Sequence, residues 1–112
     1  MAPTVLITGA SRGIGAATAR LFAQEGWDVA VNFNFSQCEA ERLVHELREL
    51  GGKAVPIQAD VSVPEEAARM VREAEAALGA LDALVCNAGI ALPQQLLTDT
   101  TDEQWHTLLS TD

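Results

Sequence analysis

A glycine-rich turn restricts the fold of this chain more than any other feature. It reads TGASRGIG at residues 8–15 and lies between a short apolar run and a helical pattern. The apolar run, TVLI at residues 4–7, has no polar alternation, which is typical of a strand buried on both faces of a parallel sheet. From Ile14 to Gln24 the pattern is helical, and Gly26 predicts the helix end. The sequence therefore begins with a strand–turn–helix unit.

The same alternation continues along the chain. Further strands are predicted at residues 28–33 (DVAVNF), 53–60 (KAVPIQAD) and 81–86 (LDALVC). Three capping boxes predict helix starts between or after these strands: Ser36 with Glu39, Ser62 with Glu65, and Thr101 with Gln104.

A β-α-β-α-β-α-β-α order predicts an α/β fold with a parallel sheet. We expect a Rossmann-type doubly wound sheet with strand order 3-2-1-4. Pro56 lies in the third predicted strand, and proline belongs on an edge strand, which agrees with that order. We expect one domain, with no internal repeat or linker.

Composition excludes several classes of function. The net charge is −9, which disfavours binding to nucleic acids or anionic membranes. No apolar run approaches the roughly 18 residues of a membrane span, and no basic region precedes the first apolar stretch as in a signal peptide. Two cysteines, Cys38 and Cys86, indicate neither a disulfide framework nor a metal site. We therefore expect a protein of the reducing cytoplasm.

The position of the glycine turn suggests a phosphate cradle. Gly9 allows a sharp exit from the strand, Gly13 allows a ligand to approach the backbone, and Gly15 allows the helix to pack closely on the sheet. The free N–H groups of the helix start and the helix dipole favour an anion at this point. The alternative is a plain turn between a strand and a helix.

The glycine spacing, Gly-x-x-x-Gly-x-Gly, resembles that of the short-chain dehydrogenase/reductase family, in particular its 3-oxoacyl-acyl-carrier-protein reductase-like branch. The resemblance covers the full chain. DV at 60–61 follows the third strand and NAG at 87–89 follows the fourth, as in the family. GWDVAVNF at 26–33 and WHTLLSTD at 105–112 also match.

The resemblance implies roles for eleven residues toward a nicotinamide dinucleotide. The pyrophosphate and the adjacent ribose would be held by Gly9, Ser11, Arg12, Gly13, Ile14 and Gly15. Asp60 would accept from the adenine amino group, Val61 would pack against its ring, and Asn87, Ala88 and Gly89 would line the nicotinamide-side ribose. The structural alternatives are a loop cap for Asp60 and a strand-end cap for Asn87. Cys86 replaces the first Asn of the family motif, and we expect it to act as a small apolar residue without abolishing binding.

The end of the second strand indicates which dinucleotide is bound. NAD-binding sheets place an acid there, but this chain has Asn32, Phe33 and Asn34. The nearest acids, Asp28 and Glu39, are too far along the chain. Arg12 in the glycine turn could meet a 2′-phosphate bidentately. We therefore expect Asn34 to lie at the cofactor site and NADP(H) to be preferred over NAD(H).

No catalytic residue is predicted in this chain. The family uses a Tyr-x-x-x-Lys pair, a Ser and a relay Asn, whereas this chain has no tyrosine, its only lysine is Lys53, and Asp112 stands at the position of the Asn. We expect residues 1–112 to be the N-terminal dinucleotide-binding part of a domain, ending before the catalytic segment and unable to reduce a ketone alone. The fourth strand would then be an apolar edge prone to self-association.

For a full-length protein the resemblance implies a carbonyl substrate, such as a ketone or a 3-oxoacyl thioester, and a homo-oligomer. Two other functions stay open from the residues. One is a non-catalytic dinucleotide-binding module, and the other, disfavoured by the glycine pattern, is a methyltransferase. His45, His106, Trp27 and Trp105 are interpreted as surface or packing residues.

Overall fold

Strands and helices alternate in the computed structural model, which describes residues 2–11 and 13–87. Its elements are β1 (Thr4–Thr8), α1 (Gly13–Gln24), β2 (Asp28–Phe33), α2 (Gln37–Glu49), β3 (Ala54–Gln58), α3 (Pro64–Leu78) and β4 (Ala83–Cys86). The helix predicted after Thr101 lies outside the described residues.

The four described strands form one parallel sheet in the order β3-β2-β1-β4. This confirms the predicted fold class and strand order. Pro56 pairs with Val31 on β3, the edge strand of the described sheet, where a missing N–H costs little because only β2 among the described strands pairs with it. The central strand β1 is therefore flanked by β2 and β4, and the glycine turn leaves the sheet at its centre.

The core has two layers, one on each face of the sheet. Val5 and Ile7 of β1 point into the first layer, with the small residues of α1 and the leucines of α2. Leu6 points to the opposite face, into the second layer with Met70 of α3 and Leu84 of β4. This division follows from the two-residue period of a strand, and it explains why β1 is apolar at every one of these positions.

In both capping boxes within the described residues, the serine side chain does not make the expected hydrogen bond to the helix start. Ser36 is the N-cap residue of α2, but its side chain makes no cap hydrogen bond. Helix α3 takes Val63 as its N-cap, and the Ser62 hydroxyl donates to Asp60 Oδ1 at 2.6 Å. Pro64 does lie in the first turn of α3, as predicted.

The charged residues of the helices lie mainly at the surface. Arg20 of α1 donates from Nε to Glu46 Oε2 of α2 at 2.6 Å, and the Glu46 pKa is lowered by this hydrogen bond. His45 is exposed beside Glu49, at 3.3 Å. Among the described helices, none combines the length and the apolar character needed to cross a membrane.

Candidate functional site

The glycine turn begins with two backbone conformations that suit glycine. Gly9 has φ of 59° and Gly13 has φ of 65°, both in the left-handed region. A Cβ placed on Gly13 would meet nothing within 4 Å. The left-handed backbone conformation at position 13 therefore requires glycine, and the space beside Gly13 is open to a ligand.

Gly15 is required for a different reason, because neighbouring atoms leave no room for a side chain at this position. A Cβ on Gly15 would lie 2.4 Å from Gly9 O, 2.7 Å from Asn87 Nδ2 and 2.8 Å from Ala10 Cα. These distances are far below those of real Cβ contacts, and two of the three atoms belong to the backbone. Helix α1 thus packs directly against the turn, which gives the close approach expected of Gly15.

Two asparagine side chains hold the peptide groups of Gly9. Asn32 Oδ1 accepts from the Gly9 N–H at 3.1 Å, and Asn87 Nδ2 donates to Gly9 O at 3.1 Å. The Asn87 backbone N–H also donates to Thr8 Oγ1 at 2.9 Å. The strand-end cap considered for Asn87 is therefore present, and it ties the end of β4 to the glycine turn.

The start of α1 is open to an anion. The first turn of the helix carries no acidic residue, so nothing there opposes the positive end of the helix dipole. Ile14 is 75% exposed and lies beside this helix start. Ser11 lines the adjoining cavity. Of the other predicted site residues, Arg12, Ala88 and Gly89 lie outside the described residues.

Asp60 and Val61 follow β3 at the same end of the sheet. Asp60 Oδ1 accepts from the Ser62 N–H at 3.0 Å and from its hydroxyl at 2.6 Å, and these hydrogen bonds lower the Asp60 pKa. Asp60 therefore does cap its loop, which was the structural alternative, and within the described residues its Oδ2 takes no hydrogen bond. Val61 is 7% exposed and belongs to the second core layer, so it presents little surface to a ring.

Asn34, just beyond β2, has a fixed amide orientation. Gln58 Nε2 donates both to Asn34 O and to Asn34 Oδ1, each at 3.2 Å. Because the carbonyl can only accept, the Gln58 atom must be the nitrogen and the Asn34 atom the oxygen. The Asn34 Nδ2 group is then left to donate elsewhere.

The chain carries Asn32, Phe33 and Asn34, and no acidic residue, at the carboxyl end of β2. Asp28 is buried at the opposite end of the strand, where its Oδ1 accepts from the Lys53 N–H at 3.1 Å. A cavity of about 220 Å³ lies between the glycine turn and α2, with Glu39 and Arg42 on its α2 side. Arg20 and Glu46, which also line it, neutralise each other. The described part of this cavity is therefore nearly balanced in charge.

Cys86 lies opposite Thr8 in the β1–β4 register. It is half-buried against the second core layer, as expected of a small apolar residue. Burial raises the pKa of its thiol to about 11, and a hydrogen bond with Thr8 acts weakly in the other direction. Cys86 is therefore a neutral packing group at neutral pH.

The structure brings the predicted residues Gly9, Gly13, Gly15 and Asn87 together at one end of the sheet, with Asp60 and Asn34 at the ends of the neighbouring strands. Sequence reasoning treated Asn32 only as a missing acid and overlooked its contact with Gly9. The available signal was a lone amide within DVAVNF, a strand whose six residues are all buried. Such a residue requires hydrogen-bond partners.

A parallel sheet of order 3-2-1-4 with a glycine turn at its central strand defines the class of Rossmann-type dinucleotide-binding folds. The family described as short chain dehydrogenase matches residues 3–112. The chain belongs to this short-chain dehydrogenase family.

Individual relatives agree with this assignment. The chain is 38% identical over all 112 residues to the 3-oxoacyl-[acyl-carrier-protein] reductase FabG of Staphylococcus epidermidis, and covers 46% of it. The chain thus spans about half the length of the curated relatives it matches. Among solved structures, a blue fluorescent protein from a metagenomic library in complex with NADPH is 41% identical, with a TM-score of 0.75 over 80% of this chain and 37% of that one. An NADH-dependent reductase A1-R′ complexed with NAD is 34% identical, with a TM-score of 0.73 over 80% and 37%.

Proposed function

We propose that this chain supplies the cofactor site of an NADP-dependent oxidoreductase that interconverts a ketone and an alcohol. The observation that carries the proposal is the glycine turn, with its left-handed Gly9 and Gly13 and its close contact at Gly15. A 3-oxoacyl thioester is the substrate class suggested by the Staphylococcus epidermidis relative. A bound nicotinamide dinucleotide would supply or accept the hydride.

The residues at the turn fit the pyrophosphate of such a cofactor. Gly13 leaves open space where a side chain would otherwise stand, and the helix start of α1 has no acid in its first turn. Backbone N–H groups at a helix start bind phosphate well. We assign Gly9, Ser11, Gly13, Ile14 and Gly15 to this part of the site, with Arg12 from the sequence alone.

For the adenine we propose Asp60, through the oxygen not used by Ser62. Its Oδ1 is occupied by Ser62, whereas Oδ2 can accept from an exocyclic amino group. Val61 would contribute mainly by fixing this loop in the core, since its side chain is already buried. Asn87, with Ala88 and Gly89, is assigned to the nicotinamide-side ribose.

Preference for NADP(H) over NAD(H) is supported by three features. The end of β2 has Asn32, Phe33 and Asn34 and no acid that would repel a 2′-phosphate. Within the described part of the chain the Asn34 Nδ2 group has no hydrogen-bond acceptor, and this group would suit a phosphate oxygen. Arg12 adds a guanidinium capable of bidentate contact. Because one structural neighbour carries NADPH and another NAD, the neighbours alone do not decide between the two.

The test compares the dissociation constants of NADPH and NADH for the wild type and Arg12→Ala by titration calorimetry. We expect the wild type to bind NADPH more tightly, and Arg12→Ala to lose roughly 10- to 100-fold for NADPH, the range of a charge-assisted contact, with a smaller loss for NADH. Arg42→Ala, at the cavity wall formed by α2, is the control for the removal of one positive charge. Equal losses for both dinucleotides would contradict the NADP assignment, and no binding of either would contradict the function.

Turnover is a separate measurement. Since the 112 residues contain no tyrosine, we expect them to bind the dinucleotide without reducing a ketone. NADPH-dependent reduction by this purified chain, free of contaminating enzyme, would show that the chemistry uses other groups.

A further inference from the structure

We propose that Asn32 is a positioning residue that sets the shape of the glycine turn before a dinucleotide binds. The inference rests on the proposed function and deepens it, because it concerns how the same site is organised. Asn32 lies near the carboxyl end of β2, an interior strand of the sheet, and is 3% exposed. A buried amide at this place must have all its strong hydrogen-bonding groups satisfied.

The side-chain partners of Asn32 that lie far away in the sequence come from two segments of the chain, the glycine turn and the end of β3. Its Oδ1 accepts from the Gly9 N–H at 3.1 Å, while its Nδ2 donates to Ile57 O at 3.3 Å and to Ala59 O at 3.2 Å. Exchanging the amide oxygen and nitrogen would place oxygen against two carbonyls and N–H against N–H. The orientation of the side chain is therefore fixed by its surroundings.

The Asn32 backbone strengthens the same connection. Its carbonyl accepts from the Ala10 N–H at 2.9 Å, the residue after Gly9. One residue of β2 thus fixes two consecutive N–H groups of the turn. Both N–H groups donate to Asn32. These two hydrogen bonds hold Gly9 in its left-handed conformation, from which the chain continues toward α1.

The same side chain joins the two parts of the proposed cofactor site. Gly9 belongs to the pyrophosphate side, and Ala59 immediately precedes Asp60 on the adenine side. A single amide bridges both segments, so it sets their separation. Loss of this amide should allow the turn and the Asp60 loop to move independently, and a rigid dinucleotide site would then lose affinity.

Asp28 provides a matched control on the same strand. It is buried at the opposite end of β2, and its Oδ1 also accepts one backbone N–H, that of Lys53, at 3.1 Å. Asn32→Ala and Asp28→Ala each remove one buried side-chain acceptor from β2. Only the Asn32 change touches the glycine turn.

The experiment measures the NADPH dissociation constant and backbone amide exchange of both variants below their unfolding temperatures. We expect Asn32→Ala to weaken NADPH binding about tenfold, equivalent to roughly 1.4 kcal/mol. We also expect the Gly9 amide to exchange about tenfold faster relative to the amides of Ile7 and Thr8, without any ligand present. Asp28→Ala should lower the unfolding temperature yet keep the dissociation constant within about twofold of the wild type. If Asn32→Ala does not fold, Asn32→Ser, whose side chain is too short to bridge Gly9 and Ala59, replaces it.

The outcomes separate the two proposals. Suppose that the wild type binds NADPH. If Asn32→Ala then has the same dissociation constant, or if Asp28→Ala loses as much affinity as Asn32→Ala, the positioning role is overturned and the proposed function still stands. Unchanged Gly9 exchange overturns it as well. A wild type that binds neither NADPH nor NADH overturns the proposed function, and with it any role of Asn32 toward a ligand.

Discussion

Replacing Gly15 with alanine tests whether the contact between α1 and the glycine turn determines cofactor binding. The added Cβ would lie 2.4 Å from Gly9 O, whereas ordinary van der Waals contact begins at 3.4 Å, so the helix or the turn must move by about 1 Å. The same Cβ would lie 2.7 Å from Asn87 Nδ2, the group that donates to Gly9 O. The substitution therefore displaces the turn and weakens the Asn87 hydrogen bond together.

The magnitude follows from three contributions to the free energy of unfolding. Overpacking costs about 1–3 kcal/mol, and a weakened hydrogen bond adds about 1 kcal/mol. Replacing glycine in a helix by alanine returns roughly 0.5–1 kcal/mol. The net loss is about 1–3.5 kcal/mol, which for a domain of this size lowers the unfolding temperature by roughly 5–20 °C.

The assay is thermal unfolding combined with NADPH titration at a temperature where the variant is folded. We expect Gly15→Ala to lose NADPH binding by well over tenfold even when folded, because displaced backbone no longer meets the pyrophosphate. Gly26→Ala is the control: Gly26 follows the other end of α1, has φ of 92°, and its Cβ would meet nothing within 4 Å. Gly26→Ala should be destabilised by backbone strain alone and bind normally. A Gly15→Ala protein with wild-type stability and affinity would refute the reasoning.

Two further predictions concern ionisation. Ser62→Ala should raise the pKa of Asp60 toward its ordinary value, measured by NMR titration of the carboxyl carbon. The pKa of Asp60 is lower in the folded state than in the unfolded state, so its hydrogen bonds stabilise the fold at pH values above the unfolded-state pKa. This stabilisation is lost as the pH falls through the folded-state pKa. An unchanged titration of Asp60 in Ser62→Ala would exclude Ser62 as the cause of the lowered pKa. Cys86, whose pKa is raised from about 9 to about 11, should resist alkylation at pH 8 while the exposed Cys38 reacts, and stability should fall as the pH rises from about 9 to 11. Equal modification rates for the two thiols would contradict this.

Much of the fold was predictable because its signals are local. Continuous apolar strands, helical periods and the glycine turn each lie within a few residues, and Pro56 marked the edge strand without any long-range information. The ends of the elements were less accurate: the third strand was predicted at residues 53–60 and covers Ala54–Gln58. The end of a strand depends on which backbone N–H and C=O groups form hydrogen bonds with the neighbouring strand, and these partners cannot be identified from the sequence.

The errors and omissions concern polar groups with several candidate partners. Ser62 could have capped α3, yet the Asp60 carboxylate two residues away takes both its N–H and its hydroxyl. Asn32 could not be assigned from sequence because its partners at residues 9, 57 and 59 come from distant segments. Periodicity indicates which residues are buried, whereas the pairing of buried polar groups is decided by tertiary structure.

The order of the strands in the sheet also differs from the order in which they are synthesised. Strand β1 is made first, but its partner on one side, β4, follows much later, and the Thr4 N–H donates to Asp82 Oδ2 across 78 residues of chain. Closing so long a segment is entropically costly and slows folding. During translation one edge of β1 therefore stays unpaired until β4 has left the ribosome. A nascent chain stalled before residue 83 would expose that edge, and it is at this stage that the protein would most need a chaperone.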